Sequence, residues 1–291
     1  MHVTVLIPLY NRERFIGEAI DSVIDQDYDD WDVLIVDGCS TDRSLEVVRS
    51  RMPDDRIAII QTKLEGLTAA TAIGIERARG PVVSVLDSDD KLTPDSLSAV
   101  MPAFVDNPRL GYVWTNSIDS IGNMRGDSIP SGKTFFEALG SPDFRYYHQK
   151  FFRREYYLRT ERLDTSIKYC EDLQLALLIG KTDCDTLHIP KVTYWQRIHP
   201  QQVTKERSAE VSGCERMLRR KFCSQNAALS EQYIVTLENR NDALRNELTD
   251  IKRCFGFKAM KFYGSIIDGV LPDDTRRGKL KRKAVDRIRN L

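Results

Sequence analysis

The sequence predicts an α/β fold, a mostly parallel sheet flanked by helices and followed by a helical C-terminal tail. Three observations predict it. Short β-branched runs alternate with segments of helical periodicity through the first ~115 residues, the pattern of a sheet wound in βα units. Residues 82–92, VVSVLDSDDKL, pass from a run of β-branched and apolar residues into Asp87, Asp89 and Asp90, as a buried parallel strand does where it ends at a ligand crevice. After residue 205 the prolines vanish until Pro272 and the chain reads helical.

Composition narrows the function classes. The 291 residues, 41% apolar and 30% charged, can bury one large core or two smaller ones. Lys plus Arg and Asp plus Glu each number 43, so a net charge of zero argues against general nucleic-acid binding. Six scattered cysteines, without a CxxC pair, suggest free thiols in a reducing compartment rather than zinc. The apolar run at residues 3–9 is too short for a signal peptide or a membrane span, and no other stretch reaches spanning length. A cytoplasmic protein is the expectation.

Taken in order, residues 3–7 form a β run that Pro8 should close by removing a donor. Residues 14–25 place Phe15, Ile16, Ala19, Ile20 and Val23 on one helical face. A second strand at 32–36 leads into the turn Asp37-Gly38-Cys39-Ser40-Thr41-Asp42, an N-cap signal for a helix over 43–51. A strand at 56–61, a small-residue helix at 67–79, the strand at 82–86, a helix from Pro94 to Val105 and a strand at 112–116 follow. Residues 118–130, with Gly122, Asn123 and Gly126, read as a loop or hairpin, and 133–139 as a short helix. The aromatic- and arginine-rich stretch 144–158 reads as a packed helix with a snorkelling rim. An apolar helix over 173–179 and a strand over 187–195 complete the middle.

In the tail, Ile234, Asn241, Leu248 and Phe255 recur every seventh residue, as do Leu237, Leu244 and Ile251. A short coiled coil over 234–255 that forms a homodimer is one reading, and an amphipathic helix folded onto its own domain is the other. Residues 276–289 carry eight Lys or Arg against the single acid Asp286. Beside the apolar stretch 255–270 they form either a basic amphipathic C-terminus on an anionic membrane surface or a solvated tail.

The chemistry gathers at Asp87, Asp89 and Asp90. Carboxylates two apart at a strand end repel each other unless a cation lies between them, and oxygen ligands of this kind suit Mg²⁺ or Mn²⁺ together with substrate phosphates. The simpler alternative is a polar turn in which Asp90 or Thr93 caps the next helix.

A strand followed by PLYN at 8–11, a strand ending in VDGCSTD at 36–42, a small-residue helix closed by Gly80, and VLDSDDKLTPD at 85–95 together resemble the nucleotide-sugar domain of family 2 glycosyltransferases, the Rossmann-like GT-A fold. HQKFFRR at 148–154, YCEDLQLAL at 169–177 and YWQRIHP at 194–200 continue the resemblance. It covers 1–204, a nucleotide-binding half (1–115) and an acceptor-binding half (116–204), and leaves out the tail, 205–291. The resemblance implies that Pro8, Tyr10, Asn11 and Asp37 hold the nucleoside, with Tyr10 against the base. Asp87, Ser88 and Asp89 become the DxD element, with Asp87 and Asp89 on the ribose and on a Mn²⁺ or Mg²⁺ ion. Such an ion neutralises the charge that grows on a diphosphate leaving group. Of the pair Glu171 and Asp172, Asp172 becomes the general base, although the two acids also suit a plain helix N-terminus. Arg197 and His199 would reach the diphosphate or the metal. His148 either lines the acceptor side or is a core histidine.

The chain departs from the family pattern in two places. Many relatives read VDDGS where Gly38 and Cys39 stand, so a base contact is missing. Many carry Arg and Asn where Thr71 and Ala72 stand, and Lys63 is the candidate substitute. The expectation is a metal-dependent, inverting, hexosyltransferase-type enzyme at the cytoplasmic membrane face, moving sugar from a UDP-sugar to a saccharide or glycolipid acceptor in polysaccharide or glycolipid assembly. UDP is expected only because it is commonest in the family. The rival is an inactive scaffold of the same fold that binds partners or membrane through its tail. A sugar nucleotidyltransferase would need a Gly-rich phosphate loop after the first strand, and PLYNRER offers none.

Overall fold

The structure is a computed structural model that describes residues 1–52, 55–63, 66–126, 135–140 and 150–224. Its first elements keep the alternation that the sequence predicts: β1 (Val3–Leu9), α1 (Ile16–Ile24), β2 (Trp31–Asp37), α2 (Ser44–Arg49), β3 (Ile57–Gln61), α3 (Leu67–Arg77) and β4 (Val82–Val85). The four strands are parallel in the order β3–β2–β1–β4. Every residue of β1, β2 and β4 is buried, because helices cover both faces. Val5, Ile7, Val33 and Ile35 point to one face and share a core with Ile16 and Ile20 of α1. Leu6 points to the other face, against α3, where Gly74 lets the helix lie directly on its side chain.

Pro8 does not end β1, which pairs on through Leu9↔Asp37. The reason is direction. Leu6 faces β4, since its carbonyl accepts from Leu86 N–H, while Leu9 faces β2 and accepts from Gly38 N–H. Backbone groups alternate sides along a strand, so Pro8 faces the β4 side beyond the last paired residue, where no donor is required.

The chain continues through β5 (Lys91–Leu92), α4 (Ser96–Asp106), β6 (Leu110–Asp119), β7 (Met124–Arg125), α5 (Phe135–Gly140), β8 (Lys150–Arg153), α6 (Arg154–Leu158), α7 (Glu171–Gly180), β9 (Asp185–Gln196), α8 (Val203–Glu206) and α9 (Ser208–Ser224). β7 folds back on β6 as a hairpin. The helix expected over 144–158 is corrected. Within its described part only α6 is helical, and Lys150–Arg153 is a strand, antiparallel to both β4 and β6. The sheet therefore reads β3–β2–β1–β4–β8–β6–β9–β5, and the parallel unit expected through residue 116 is divided, with β8 between β4 and β6. Arg153 is buried rather than snorkelling. Its guanidinium donates to the carbonyls of Phe104, Asn107 and Leu110 and so closes the end of α4.

Among the described residues no helix is long and apolar enough to cross a membrane. His148, the heptad segment 234–255 and the basic stretch 276–289 lie outside the described residues.

Candidate active site

Two antiparallel steps across β8 restore direction, so β6 and its parallel partner β9 run the same way as β1, β2 and β4. The loops after β1, β2, β3, β4 and β9 therefore leave from one edge of the sheet. Open α/β sheets bind ligands at such an edge. Lys150, the first residue of the reversed strand β8, lies at the same edge, paired with Val85 and Trp114.

The loops after β1 and β2 are tied together. Asn11, in the left-handed region at φ 50°, accepts from Thr41 N–H at 2.8 Å, and its own N–H donates to Ser40 Oγ. Asp42 accepts from Glu13 N–H, and Glu13 from Arg43 N–H. Burial opposes the Asp42 charge, but bonds from Ser44 and from backbone N–H groups hold its carboxyl below the usual range. Asp37 is fully buried, and its carboxylate accepts from Ser40 N–H. It shapes the turn that leaves β2. Pro8 is buried beneath this turn, Tyr10 is 58% exposed above it, and Lys63 is exposed after β3.

After β4, Asp89 Oδ2 accepts from Arg12 Nε at 3.1 Å and meets His199 Nε2 at 3.0 Å. Arg12 was not singled out from the sequence, since nothing in PLYNRER distinguishes one arginine from the other. Ser88 is buried between the two aspartates. Asp90 is no helix cap. It is buried and accepts from Tyr194 Oη and Arg197 N–H, each at 2.8 Å. Thr93 donates to Asp95 instead of capping. Tyr194 Oη also accepts from Asp87 N–H, so one buried phenol on β9 fixes both ends of the acidic turn. Arg197 is committed to Glu18 at 2.8 Å and to the Asp89 carbonyl at 3.0 Å. The guanidinium that meets the Asp89 carboxylate is that of Arg12.

Among the described residues no group of three or more His, Cys, Asp or Glu is arranged to cage a metal. Asp89 Oδ2 and His199 Nε2 do converge, a partial donor set of the kind that Mg²⁺ or Mn²⁺ completes with phosphate oxygens and water. A metal-bound imidazole normally donates its other N–H to an acceptor. His199 Nδ1 is buried without a partner, so Asp89 is the better supported ligand.

The second cluster centres on Asp172, in the first turn of α7. Cys170, at φ 65°, turns the chain into this helix. Lys150, 1% exposed, donates through Nζ to Asp172 Oδ1, and Asp172 is 23% exposed. Burial works against the ammonium, but Asp172, Asp87 and Glu171 more than offset it and raise its pKa. Glu171 is buried beside them, and burial, then the charge of Asp172, pushes its carboxyl well above the usual range despite Lys150. Of the two acids, Glu171 is the one that burial and its neighbour's charge push toward the protonated form. Asp87 acts electrostatically on Lys150, Glu171 and Tyr194 and so links the clusters. Lys150 was not read from the sequence, where it stood inside an aromatic run.

Comparison with known proteins adds a lineage. A family profile described as glycosyl transferase family 2 matches residues 4–161. Chondroitin synthase from Escherichia coli is 28% identical over 200 residues, 68% of this chain and 29% of the relative. Hyaluronan synthase from Pasteurella multocida is 27% identical over 205 residues, 68% of this chain and 20% of the relative. The chain thus spans less than a third of these synthases. Among solved structures, S. aureus TarS in complex with UDP superposes with a TM-score of 0.56 at 21% identity, over 69% of this chain and 61% of that one. A mannosyltransferase from Pyrobaculum calidifontis in complex with GDP-Man and Mn²⁺ gives 0.59 at 20% identity, over 91% and 80%. At these identities the likeness shows the fold, a GT-A fold.

Proposed function

The chain belongs to glycosyl transferase family 2, and from that premise we propose an inverting transferase that moves a sugar from a nucleoside diphosphate to an acceptor hydroxyl. One observation carries the reading: the Asp89 cluster and the Asp172 cluster open at the same sheet edge, joined through Asp87.

In this reading the exposed ring of Tyr10 supports the base, and Asp87 meets the ribose. Asp89, with His199 beside it, would hold a divalent cation that neutralises the leaving diphosphate. Arg12 adds a fixed positive charge at the same carboxylate. Asp172 accepts the acceptor's hydroxyl proton as the acceptor oxygen bonds to the anomeric carbon. The bond from that carbon to the diphosphate breaks on the opposite face, and single displacement inverts the centre. Glu171, buried and with its carboxyl pushed upward, is the poorer base of the two. The Arg197 ion pair with Glu18 makes it a brace for the acidic turn rather than a phosphate ligand. UDP and GDP are both donor candidates, since relatives of this fold are seen with each. The synthase relatives make a saccharide acceptor in polysaccharide assembly the first to try. Self-association through residues 234–255 and membrane contact through the basic stretch are separate proposals, each removed if truncation at 205 leaves sedimentation and liposome binding unchanged.

The test is thermal shift and nucleotide release across UDP-, GDP- and dTDP-sugars, with Mn²⁺, Mg²⁺ or EDTA. A ligand at 100 times its Kd should stabilise the protein by roughly 2.7 kcal/mol. The expected result is a cation-dependent shift with one nucleotide, lost in Asp89→Ala. A folded protein that responds to none of them sinks the enzyme reading and leaves the scaffold.

A further inference from the structure

Lys150 is the one lysine among the largest fully buried side chains of the described residues, at 1% exposure. Lysine is almost never fully buried unless paired, because desolvating an ammonium is costly. Its partner is the carboxylate proposed above as the base. Its neighbour in register is Val85, two residues before Asp87.

We propose that Lys150 is a positioning residue for sugar transfer: from its place on β8 its ammonium holds Asp172 as an ionised carboxylate in the one orientation that meets the acceptor hydroxyl. The inference rests on the assignment of Asp172 as base. Geometry supports it at each step. β8 is hydrogen-bonded on both sides, so the lysine backbone is fixed at the centre of the sheet. Asp172 leaves the first turn of α7, where no side chain caps the helix, and its direction therefore depends on what it meets. Among the described residues the Glu171 carboxyl also hydrogen-bonds Asp172 and the Tyr112 phenol lies near it, and neither carries a positive charge. When Asp172 takes up the acceptor proton, the ammonium still lies within the field of Asp87, so it is not left as an isolated buried charge. A compact ammonium suits a site that must serve two carboxylates from one point.

The experiment uses the full chain carrying Lys150→Met, Lys150→Arg, Asp172→Asn, or Lys150→Met with Asp172→Asn. UDP and GDP affinities are measured with Mn²⁺, and turnover is followed with the donor that the panel identifies. Lys150→Met should bind nucleotide as the wild type does and lose about 100-fold in kcat, within the range of a general base, with little change in KM for the donor. In the Asp172→Asn background the same change should cost nothing further, because both act through one proton transfer. Lys150→Arg should recover part of the loss.

Four results overturn the inference. Lys150→Met could turn over within about threefold of wild type while Asp172→Asn is inactive, which removes this inference alone. The two changes could multiply, or nucleotide binding could fall with turnover, either of which reduces Lys150 to a structural brace. Asp172→Asn could keep the wild-type rate, which removes the base assignment and this inference together. If Lys150→Met does not fold, the double variant, which leaves no unpaired charge, carries the test: its turnover should equal that of Asp172→Asn.

Discussion

Asp89 and Asp172 are both working carboxylates in the proposed reaction, yet they are held in different ways. Asp89 meets Arg12 and His199, which come from loops after β1 and β9. Among its described partners Asp172 has a buried ammonium on a strand paired on both sides. The first setting suits a ligand that must exchange partners when a cation and a diphosphate arrive. The second suits a base that must keep one orientation through every turnover. The sheet edge thus separates an adaptable corner from a rigid one, and substitutions should reveal the difference.

The largest effect is expected at the rigid corner. Asp172→Asn should lower turnover by about 10³-fold while UDP or GDP still binds, read by nucleotide release and calorimetry. Asp89→Ala should lower turnover by about 10²-fold and abolish the Mn²⁺ dependence of the thermal shift, a binding defect that Asp172→Asn lacks. If both variants lose binding equally, the two corners are not distinct. Tyr194→Phe removes the donor to buried Asp90 and should destabilise the fold by about 1–3 kcal/mol in urea unfolding, with residual activity in the folded fraction. Tyr10→Ala should weaken nucleotide binding by about 1–2 kcal/mol without a change in Tm, since an exposed ring contributes stacking and little core.

The smallest effect concerns Glu171 and depends on pH. Its folded-state pKa is raised above the ordinary carboxyl value of 4.5, so the folded protein holds a proton that the unfolded chain releases. Its contribution to stability is complete below about pH 4.5 and is lost as pH rises toward the folded pKa. Glu171→Gln keeps the neutral shape. Its Tm advantage over wild type should grow as pH increases above 4.5, and activity at neutral pH should survive. An inactive Glu171→Gln with intact folding would mean that the wrong carboxylate has been assigned as the base.

The parallel half of the sheet was legible because its strands are β-branched runs bounded by helices of clear period. The acidic turn was legible because charge follows an apolar strand so abruptly. β8 was not legible. Four residues, Lys-Phe-Phe-Arg, have both ends charged and both faces buried, so neither alternation nor an apolar run marks them. Lys150 and Arg153 read as surface charges because sequence gives no sign that carbonyls and a carboxylate await them inside. Arg12 was hidden for a similar reason. What selects it over Arg14 is the left-handed turn at Asn11 and the distant placing of Asp89, neither of which was read from the sequence.

The reversed strand has a consequence for how the molecule is assembled. A fragment ending after β6 would leave the outer edge of β4 without its partner, a row of unpaired backbone groups open to other chains. During folding the sheet cannot close until residues from position 150 return to pair with both β4 and β6, and non-local pairing of this kind is slow. The strand that completes the sheet is also the strand that carries the ammonium. The corner proposed for the base is therefore completed by the same event that closes the sheet.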